Sequence, residues 1–398
     1  MQSEIVLFDK KEKCCGCSAC MNACPKNAIA MQEDEYGFLY PQIDRDLCIK
    51  CGACQRACHF QHKAETNVPL QTFAACARSK SILKSSASGG AFAALATKTL
   101  SMGGMVFGAA FDEAWKVCHI GIESAEELYR LQGSKYVQSS VGTTYQQVKS
   151  LLKEGRHVLF SGTPCQIAGL YGYLGKDHEN LLTVDLICHG VPNQHMFQDY
   201  LKSFGEVGAF VFRDKSLGWG INGRVTIKGH SKGKREEHKI WQSASPYLYY
   251  FSKGHIYRDS CYQCKYTCQH RPADITLGDY WGIEKQHSDY LGKNGFDTKK
   301  GISVMIANTA KGAEAIRGCA RLIDLKESTF EKAAAGNAQL VRPTVRTPQR
   351  QEILDLYAQQ GWEAVARRFD KNIGIRRYSS QVKRLIPTSL KKWLKRLR

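Results

Sequence analysis

The sequence predicts a small α+β domain over residues 1–62 and an α/β domain with a central mixed sheet over 73–330. A helical extension, 331–398, ends in a basic tail. Three observations predict this. A run of four cysteines recurs once, 34 residues further on. Strand-like and helix-like segments then alternate through the middle of the chain. The segment 371–398 holds ten basic side chains and no acidic one.

At roughly 100–200 residues per domain, 398 residues give two or three domains. Hydrophobic residues at 43% and charged residues at 23% exclude global disorder. Of the net +19, the tail supplies half, while residues 1–62 carry −1. Seventeen cysteines in a chain this long exclude a small disulfide-stapled domain. The start, MQSEIVLFDKKEK, has no basic segment followed by an apolar one. No apolar run approaches the ~18 residues of a membrane span. The expected location is therefore the cytoplasm, where many cysteines point to metal or redox chemistry.

In the first part, Cys14, Cys17, Cys20 and Cys24-Pro25 are repeated as Cys48, Cys51, Cys54 and Cys58. Ala19 and Ala23 recur as Ala53 and Ala57. Three thiolates at this spacing wrap one iron–sulfur cube from a single loop, and the fourth reaches across to the other cube. Cys14, Cys17, Cys20 and Cys58 should hold one [4Fe-4S] cluster, and Cys48, Cys51, Cys54 and Cys24 the other. Gly16, Ser18, Gly52 and the alanines let backbone N–H groups approach the sulfurs. Cys15 falls outside the spacing and reads as a bystander. Paired zinc knuckles compete poorly, because zinc does not ask for three cysteines in seven residues twice. Residues 5–62 resemble a bacterial-type two-[4Fe-4S] ferredoxin domain, with His59 where the second motif usually has Pro.

Residues 63–72 read as a polar linker. Strands are expected at 104–111, 157–161, 181–187, 208–213, 223–229, 274–278 and 301–307. Helices are expected at 145–152, 193–204 and 164–174, the last with Thr163 as cap and Pro164 at its first position. From 328 the chain reads as helical and loosely attached, with a helix opened by Thr347-Pro348.

Ser88-Gly89-Gly90 before an Ala-rich helix suits a cofactor phosphate, or equally a tight turn. Gly133-Ser134-Lys135 gathers polar donors, or forms a solvated loop. Nucleotide-binding patterns of the G-x-G-x-x-G and G-x4-G-K-[ST] kinds are missing, which disfavours Rossmann and P-loop chemistry. Cys165 and Cys188 each follow a strand end, where open α/β sheets place ligands. With Cys261 and Cys264 they make four, enough for a third cluster. Zinc at Cys261, Cys264, Cys268 and His270 is the competing metal reading. Cys76, Cys118 and Cys319 read as inert core thiols.

SxSGG (86–90), GSKYVQS (133–139), GTPCQIAGL (162–170), ICHGVP (187–192), Cys261-x2-Cys264 and ADITLGDYWGI (273–283) occur in this order. The set resembles the coenzyme F-420 hydrogenase/dehydrogenase beta-subunit family over about residues 73–330. The resemblance implies FAD and a further [4Fe-4S] cluster held by Cys165, Cys188, Cys261 and Cys264. It also implies that Ser88, Gly89, Gly90, Gly133, Ser134, Lys135 and Gly162 surround the flavin. Cys268 stands close enough to compete for the fourth ligand position. Clusters move one electron and most organic reductions need two, so a flavin belongs between them. His189 is the candidate proton donor, and Trp281 reads as core or cofactor wall.

The expected function is an iron–sulfur flavoprotein oxidoreductase that acts on a small organic substrate. Resembling chains place such activity in surface-polysaccharide metabolism among other settings. The alternative is a relay subunit serving a partner enzyme. The partners expected are an electron donor or acceptor protein and a small-molecule substrate. Leu390, Trp393, Leu394 and Leu397 share a face of a basic helix that suits an anionic inner membrane face or an acidic partner. Nucleic acid is disfavoured, since no recognition motif accompanies the charge.

Overall fold

The computed structural model describes residues 4–62, 64–229, 235–293 and 295–374. The amphipathic face read in the tail lies outside the described residues. Among the described residues no helix is long and apolar enough to cross a membrane.

In the first part, helix α1 (Ala19–Ala23) follows the first cysteine loop. Strands β1 (Ile29–Glu33) and β2 (Leu39–Ile43) pair antiparallel, and α2 (Ala53–Arg56) follows the second loop. The sequence repeat is also a backbone repeat. Gly16 and Ser18, and 34 residues later Lys50 and Gly52, all have φ between 54° and 71°. Such left-handed residues turn successive N–H groups toward one side of the loop. At Gly16 space adds to the demand for glycine, since a Cβ would lie 2.7 Å from Gln138 Nε2 and 2.9 Å from the Leu39 carbonyl oxygen.

The second part begins with β3 (Gln71–Ala77), α3 (Lys80–Ser85), α4 (Ala91–Ser101), β4 (Met105–Phe111) and β5 (Val117–Ile122). Next come α5 (Leu128–Leu131), α6 (Thr144–Lys153), β6 (Val158–Gly162), α7 (Pro164–Leu174), β7 (Leu181–Leu186) and α8 (Gln194–Lys202). Strands β8 (Val207–Val211), β9 (Gly223–Lys228) and β10 (Arg235–Ile240) form a separate antiparallel sheet. The chain continues through α9 (Pro246–Lys253), β11 (Ile275–Asp279), α10 (Ile283–Gln286), β12 (Ser303–Ala307) and α11 (Ala310–Gly318). It closes with β13 (Ile323–Ser328), α12 (Phe330–Ala335) and α13 (Pro348–Ile373), the last broken at Gly361.

The main sheet has eight strands in the order β13-β3-β12-β11-β7-β6-β4-β5. Neighbours among β4, β6, β7 and β11 run parallel, and the pairs outside them antiparallel. The expected mixed sheet is present. Every residue of β6 and β12 is buried, as short continuous apolar runs predict. Helix α7 opens as its sequence requires. Gln166 Oε1 accepts from the Thr163 N–H at 2.9 Å in a capping box, and Pro164 takes the first turn.

Three expectations need correction. After residue 62, β3, β5, β10 and β13 are strands that the apolar pattern did not reveal; β10 reads REEHKI, and only Ile240 of it is buried. An edge strand needs backbone pairing more than an apolar face. β3 starts at Gln71, so the linker is two residues shorter at its end. Nor is the chain after 328 loosely attached. Ile353, Leu354, Trp362, Val365 and Phe369 of α13 lie in one core with Tyr200 and Tyr247.

The first part docks on α7 through glycines. A Cβ on Gly172 would lie 2.3 Å from the Ala57 carbonyl oxygen, and one on Gly169 would lie 2.8 Å from Cys17 Sγ. Gly172→Ala is therefore expected to lower stability by roughly 1–3 kcal/mol, the usual cost of overpacking. A urea melt of the variant checks this, and an unchanged midpoint would contradict the close packing.

Candidate functional site

Cys14, Cys17, Cys20 and Cys58 line one hollow, with Cys15, Gly16 and His59. Cys24, Cys48, Cys51 and Cys54 line another, with Ile49, Lys50 and Gly52. The eight N-terminal cysteines thus lie in two sets of four, each mixing the two halves of the repeat. Backbone N–H groups of Gly16, Ala19 and Met21 reach the sulfurs of Cys14, Cys17 and Cys20. The Ala28 N–H donates to Cys24 Sγ at 3.2 Å.

The two rings differ in depth. Cys51 of the outer ring is exposed. In the inner ring, burial pushes Cys14 up to about 11 and raises Cys20 well above the usual thiol value. Thiols so placed keep their protons unless a metal replaces them, so the donor set fits a metal centre. Arg258, wholly buried, supplies positive charge there: its Nε donates to the Cys14 carbonyl oxygen at 2.8 Å, and NH2 lies 3.8 Å from Cys14 Sγ.

Cys15 is no bystander in this geometry. Its Sγ lies 3.3 Å from His59 Nε2. Its thiol also interacts with Cys165 and Cys17, which raises its own pKa and lowers both of theirs.

The third set converges at the carboxyl ends of the parallel strands. Cys165 lies in the first turn of α7 and Cys188 just beyond β7. Cys261 is brought over the same end because the Arg258 N–H donates to the Val191 carbonyl oxygen at 3.0 Å. Cys188 and Cys264 both feel the charge of Cys165, as does Cys261. Burial is the leading cause that raises all three, Cys261 to about 12 and Cys264 to about 11. Cys165 is lowered instead, first by Cys15 and then by Thr163 Oγ1 at 3.2 Å. Cys268 turns to the carbonyl oxygens of Lys265 and His270, at 3.4 and 3.5 Å. Among the described residues neither the zinc set of Cys261, Cys264, Cys268 and His270 nor the set of Cys165, Cys188, Cys261 and Cys264 has its ligand atoms within 4.8 Å of one another, as a single metal ion would require.

Of the expected flavin residues, two loops adjoin, since Gln132 Nε2 donates to Ser86 Oγ at 3.5 Å. Gly133 beside it has φ +78° and open space where a side chain would stand. Lys135 Nζ donates to the carbonyl oxygens of Arg130 and Gln132, and burial pushes its pKa down to about 7. Ser134 hydrogen-bonds Tyr136. Gly89 has a packing reason of its own, since a Cβ would lie 2.2 Å from the Ala75 carbonyl oxygen. Ser88 Oγ donates to the Ile302 carbonyl oxygen, Gly90 caps α4, and Gly162 ends β6 against Gln166.

The sequence reading missed Lys215. Its Nζ donates to the carbonyl oxygens of Leu83 and Ser88, and burial pushes its pKa down to about 8. Among the described residues neither Lys135 nor Lys215 forms an ion pair with a carboxylate, so two desolvated amines, held only by backbone carbonyls, flank this loop. That fits an anionic group such as a cofactor phosphate. Nearby, Arg213 holds Asp279 by two bonds of 2.5 and 2.9 Å. Trp219 donates to Asp279 at 2.7 Å and stacks on Trp281 at 4.6 Å. Half-buried Trp281 fits a wall better than a core. His189 keeps accessible surface, yet desolvation of its ring lowers its pKa against the pull of Asp279.

Comparison with known proteins matches both parts of the chain. A 4Fe-4S dicluster domain model matches residues 13–62. Models for the N-terminal and C-terminal portions of the coenzyme F420 hydrogenase/dehydrogenase beta subunit match residues 72–144 and 155–332. An uncharacterized ferredoxin of Methanocaldococcus jannaschii is 36% identical over 58 residues, 15% of this chain and 71% of that protein. A chain of the F420-reducing [NiFe] hydrogenase complex from Methanosarcina barkeri shares 17% identity with a TM-score of 0.44 over 78% of this chain and 95% of its own. The chain belongs to the coenzyme F420 hydrogenase/dehydrogenase beta-subunit family, as an iron–sulfur electron-transfer member with a 4Fe-4S dicluster domain at its N-terminal end.

Proposed function

We propose that the chain is an oxidoreductase with three [4Fe-4S] clusters and FAD, which passes electrons from a donor protein to a small organic substrate. The observation that carries this reading is the third thiol set, Cys165, Cys188, Cys261 and Cys264, converging beside the inner N-terminal ring. Cys14, Cys17, Cys20 and Cys58 would hold one cluster, Cys24, Cys48, Cys51 and Cys54 another, and the converging set the third. Ser88, Gly90, Gly133, Ser134 and Lys135 would hold the flavin, with Gly89 and Gly162 shaping its loops and Lys215 added from the geometry. The bound flavin supplies the change from one-electron to two-electron chemistry.

The residues of this chain have separable tasks. The outer ring, with exposed Cys51, suits contact with a donor. Lys135 and Lys215 would anchor phosphate, and the Trp219–Trp281 stack would exclude water from one wall. Burial lowers the pKa of His189, so its neutral form prevails at neutral pH. It can therefore pass a proton only after receiving one. A relay subunit without a flavin is the second reading, favoured by the exposed outer ring alone.

Iron, acid-labile sulfide and flavin per chain, measured on anaerobically purified protein, test the reading. About 12 iron atoms and about one FAD are expected. Cys165→Ala is expected to lower iron to about 8 and to leave the N-terminal pair intact. About 8 iron atoms and no flavin in the wild type would leave the relay reading. An unchanged iron count in Cys165→Ala would remove Cys165 from the ligands.

A further inference from the structure

The inner ring and the Cys165 loop come together near two residues that depart from the repeat. Cys15 corresponds, 34 residues on, to Ile49, and His59 corresponds 34 residues back to Pro25. At the outer ring, Ile49 and Pro25 line the hollow, and Ile49 is 55% exposed. At the inner ring the same two positions are buried and touch each other.

Cys15 Sγ lies 3.3 Å from His59 Nε2. Ligand atoms of Cys15, Cys17 and His59 all lie within 4.8 Å of one another. Cys15 also interacts directly with Cys165. His59 is fixed from behind, with Nδ1 2.8 Å from the Tyr266 hydroxyl and its carbonyl oxygen accepting from Lys265. Both of those residues follow Cys264 directly in the chain. Cys15, His59 and Tyr266 are 9%, 3% and 2% exposed. Polarizable groups thus lie together from Cys17 through Cys15 and His59, on the side toward Cys165, in a dry, close-packed interior. Electronic coupling between separate centres falls steeply wherever that contact is broken.

We propose that Cys15 and His59 are positioning residues that join the inner N-terminal centre to the Cys165 centre for electron passage. The proposal rests on the reading above that both thiol sets hold clusters. One electron leaves the inner centre and one arrives at the Cys165 centre. No bond forms or breaks, and both residues keep their protons. The electron enters from a one-electron donor protein and leaves to the flavin.

The test uses the full chain, oxidised, mixed anaerobically with a reduced ferredoxin protein, too large to reach the buried thiols directly. Freeze-quenched electron paramagnetic resonance follows the third-centre signal, defined as the one Cys165→Ala removes. Cys15→Ala and His59→Pro are expected to keep iron and sulfide content and to lose the fast phase of that signal. Cys15→Ser is expected to restore it. Tyr266→Phe, which removes one hydroxyl, is expected to slow it with the fold intact. A fast phase retained in Cys15→Ala, His59→Pro and Tyr266→Phe overturns the proposal alone. Loss of the inner-ring signal in Cys15→Ala and His59→Pro, with Tyr266→Phe as fast as wild type, also overturns it and leaves a structural role. A wild type without a third-centre signal overturns it together with the reading beneath it.

Discussion

A chain ending at Arg346 is expected to lose cooperative folding altogether. Ile353, Leu354, Trp362, Val365 and Phe369 of α13 are each at most 5% exposed. Side chains of this kind contribute roughly 1.5–3 kcal/mol apiece, about 7–15 kcal/mol together as an upper estimate. An ordinary domain has about 5–15 kcal/mol in total. The cut also removes Arg350, whose NH2 lies 2.9 Å from the buried Asp259 and whose Nε donates to the Tyr257 carbonyl oxygen at 3.1 Å. Asp259 opens the turn that presents Cys261, so the third thiol set should suffer with the core. Soluble yield, iron content and a thermal melt of the 1–346 chain check this. Phe369→Ala gives the graded version, with an expected loss of about 3–5 kcal/mol. A melt of the shortened chain close to that of the full chain would contradict both.

Arg271→Met is expected to cost about 3–5 kcal/mol at neutral pH, because it strands a buried carboxylate. Arg271 NH2 lies 2.7 Å from Asp185 Oδ1 and 2.9 Å from the Leu186 carbonyl oxygen. NH1 donates to the Tyr266 carbonyl oxygen at 2.5 Å. One side chain therefore ties the end of β7, before Cys188, to the loop after Cys264. The pH dependence has a definite sign. Burial raises the pKa of Asp185, and Arg271 pulls it back. Without Arg271 the rise is opposed only by hydrogen bonds from Thr276 and the Ala273 backbone, so the folded variant holds a proton that the unfolded chain releases near about 3.9. Stability from that proton is present below the unfolded value and lost as pH rises through the folded one. The deficit against wild type should be full at neutral pH and shrink on acidification. Urea midpoints between pH 8 and 5 measure it; a deficit that grows in acid would contradict the assignment.

The parts of the fold legible in the sequence were those where local chemistry and tertiary demand agree. Thr163, Pro164 and Gln166 announce α7 by capping, and HVLFS announces β6 by its apolar run. The crossed cysteine repeat announces two thiol rings, because spacing alone decides which sulfurs share a loop. The polar strand β10 has no apolar face to read. Helix α13 looked detached because its apolar positions are spread across the break at Gly361. At the site, Cys165 and Cys188 were legible as strand-end residues. Lys215, Arg258 and the Cys15–His59 contact were not. Their positions depend on which distant elements pack together, and a buried arginine or lysine reads as surface in sequence.

The glycine contacts on α7 also set an order of assembly. The inner ring lies in the first sixty residues, yet its surroundings are completed by Gln138, Gly169 and Arg258, made much later during synthesis. Arg258 stands 244 residues from the Cys14 it covers. If the rings hold clusters as proposed above, the inner one would be most open to iron and sulfide while the nascent amino-terminal segment still stands alone. The outer ring, with Cys51 at the surface, would stay open to loading after the chain is finished. Oxidative loss would then be easier to reverse at the outer ring than at the inner one.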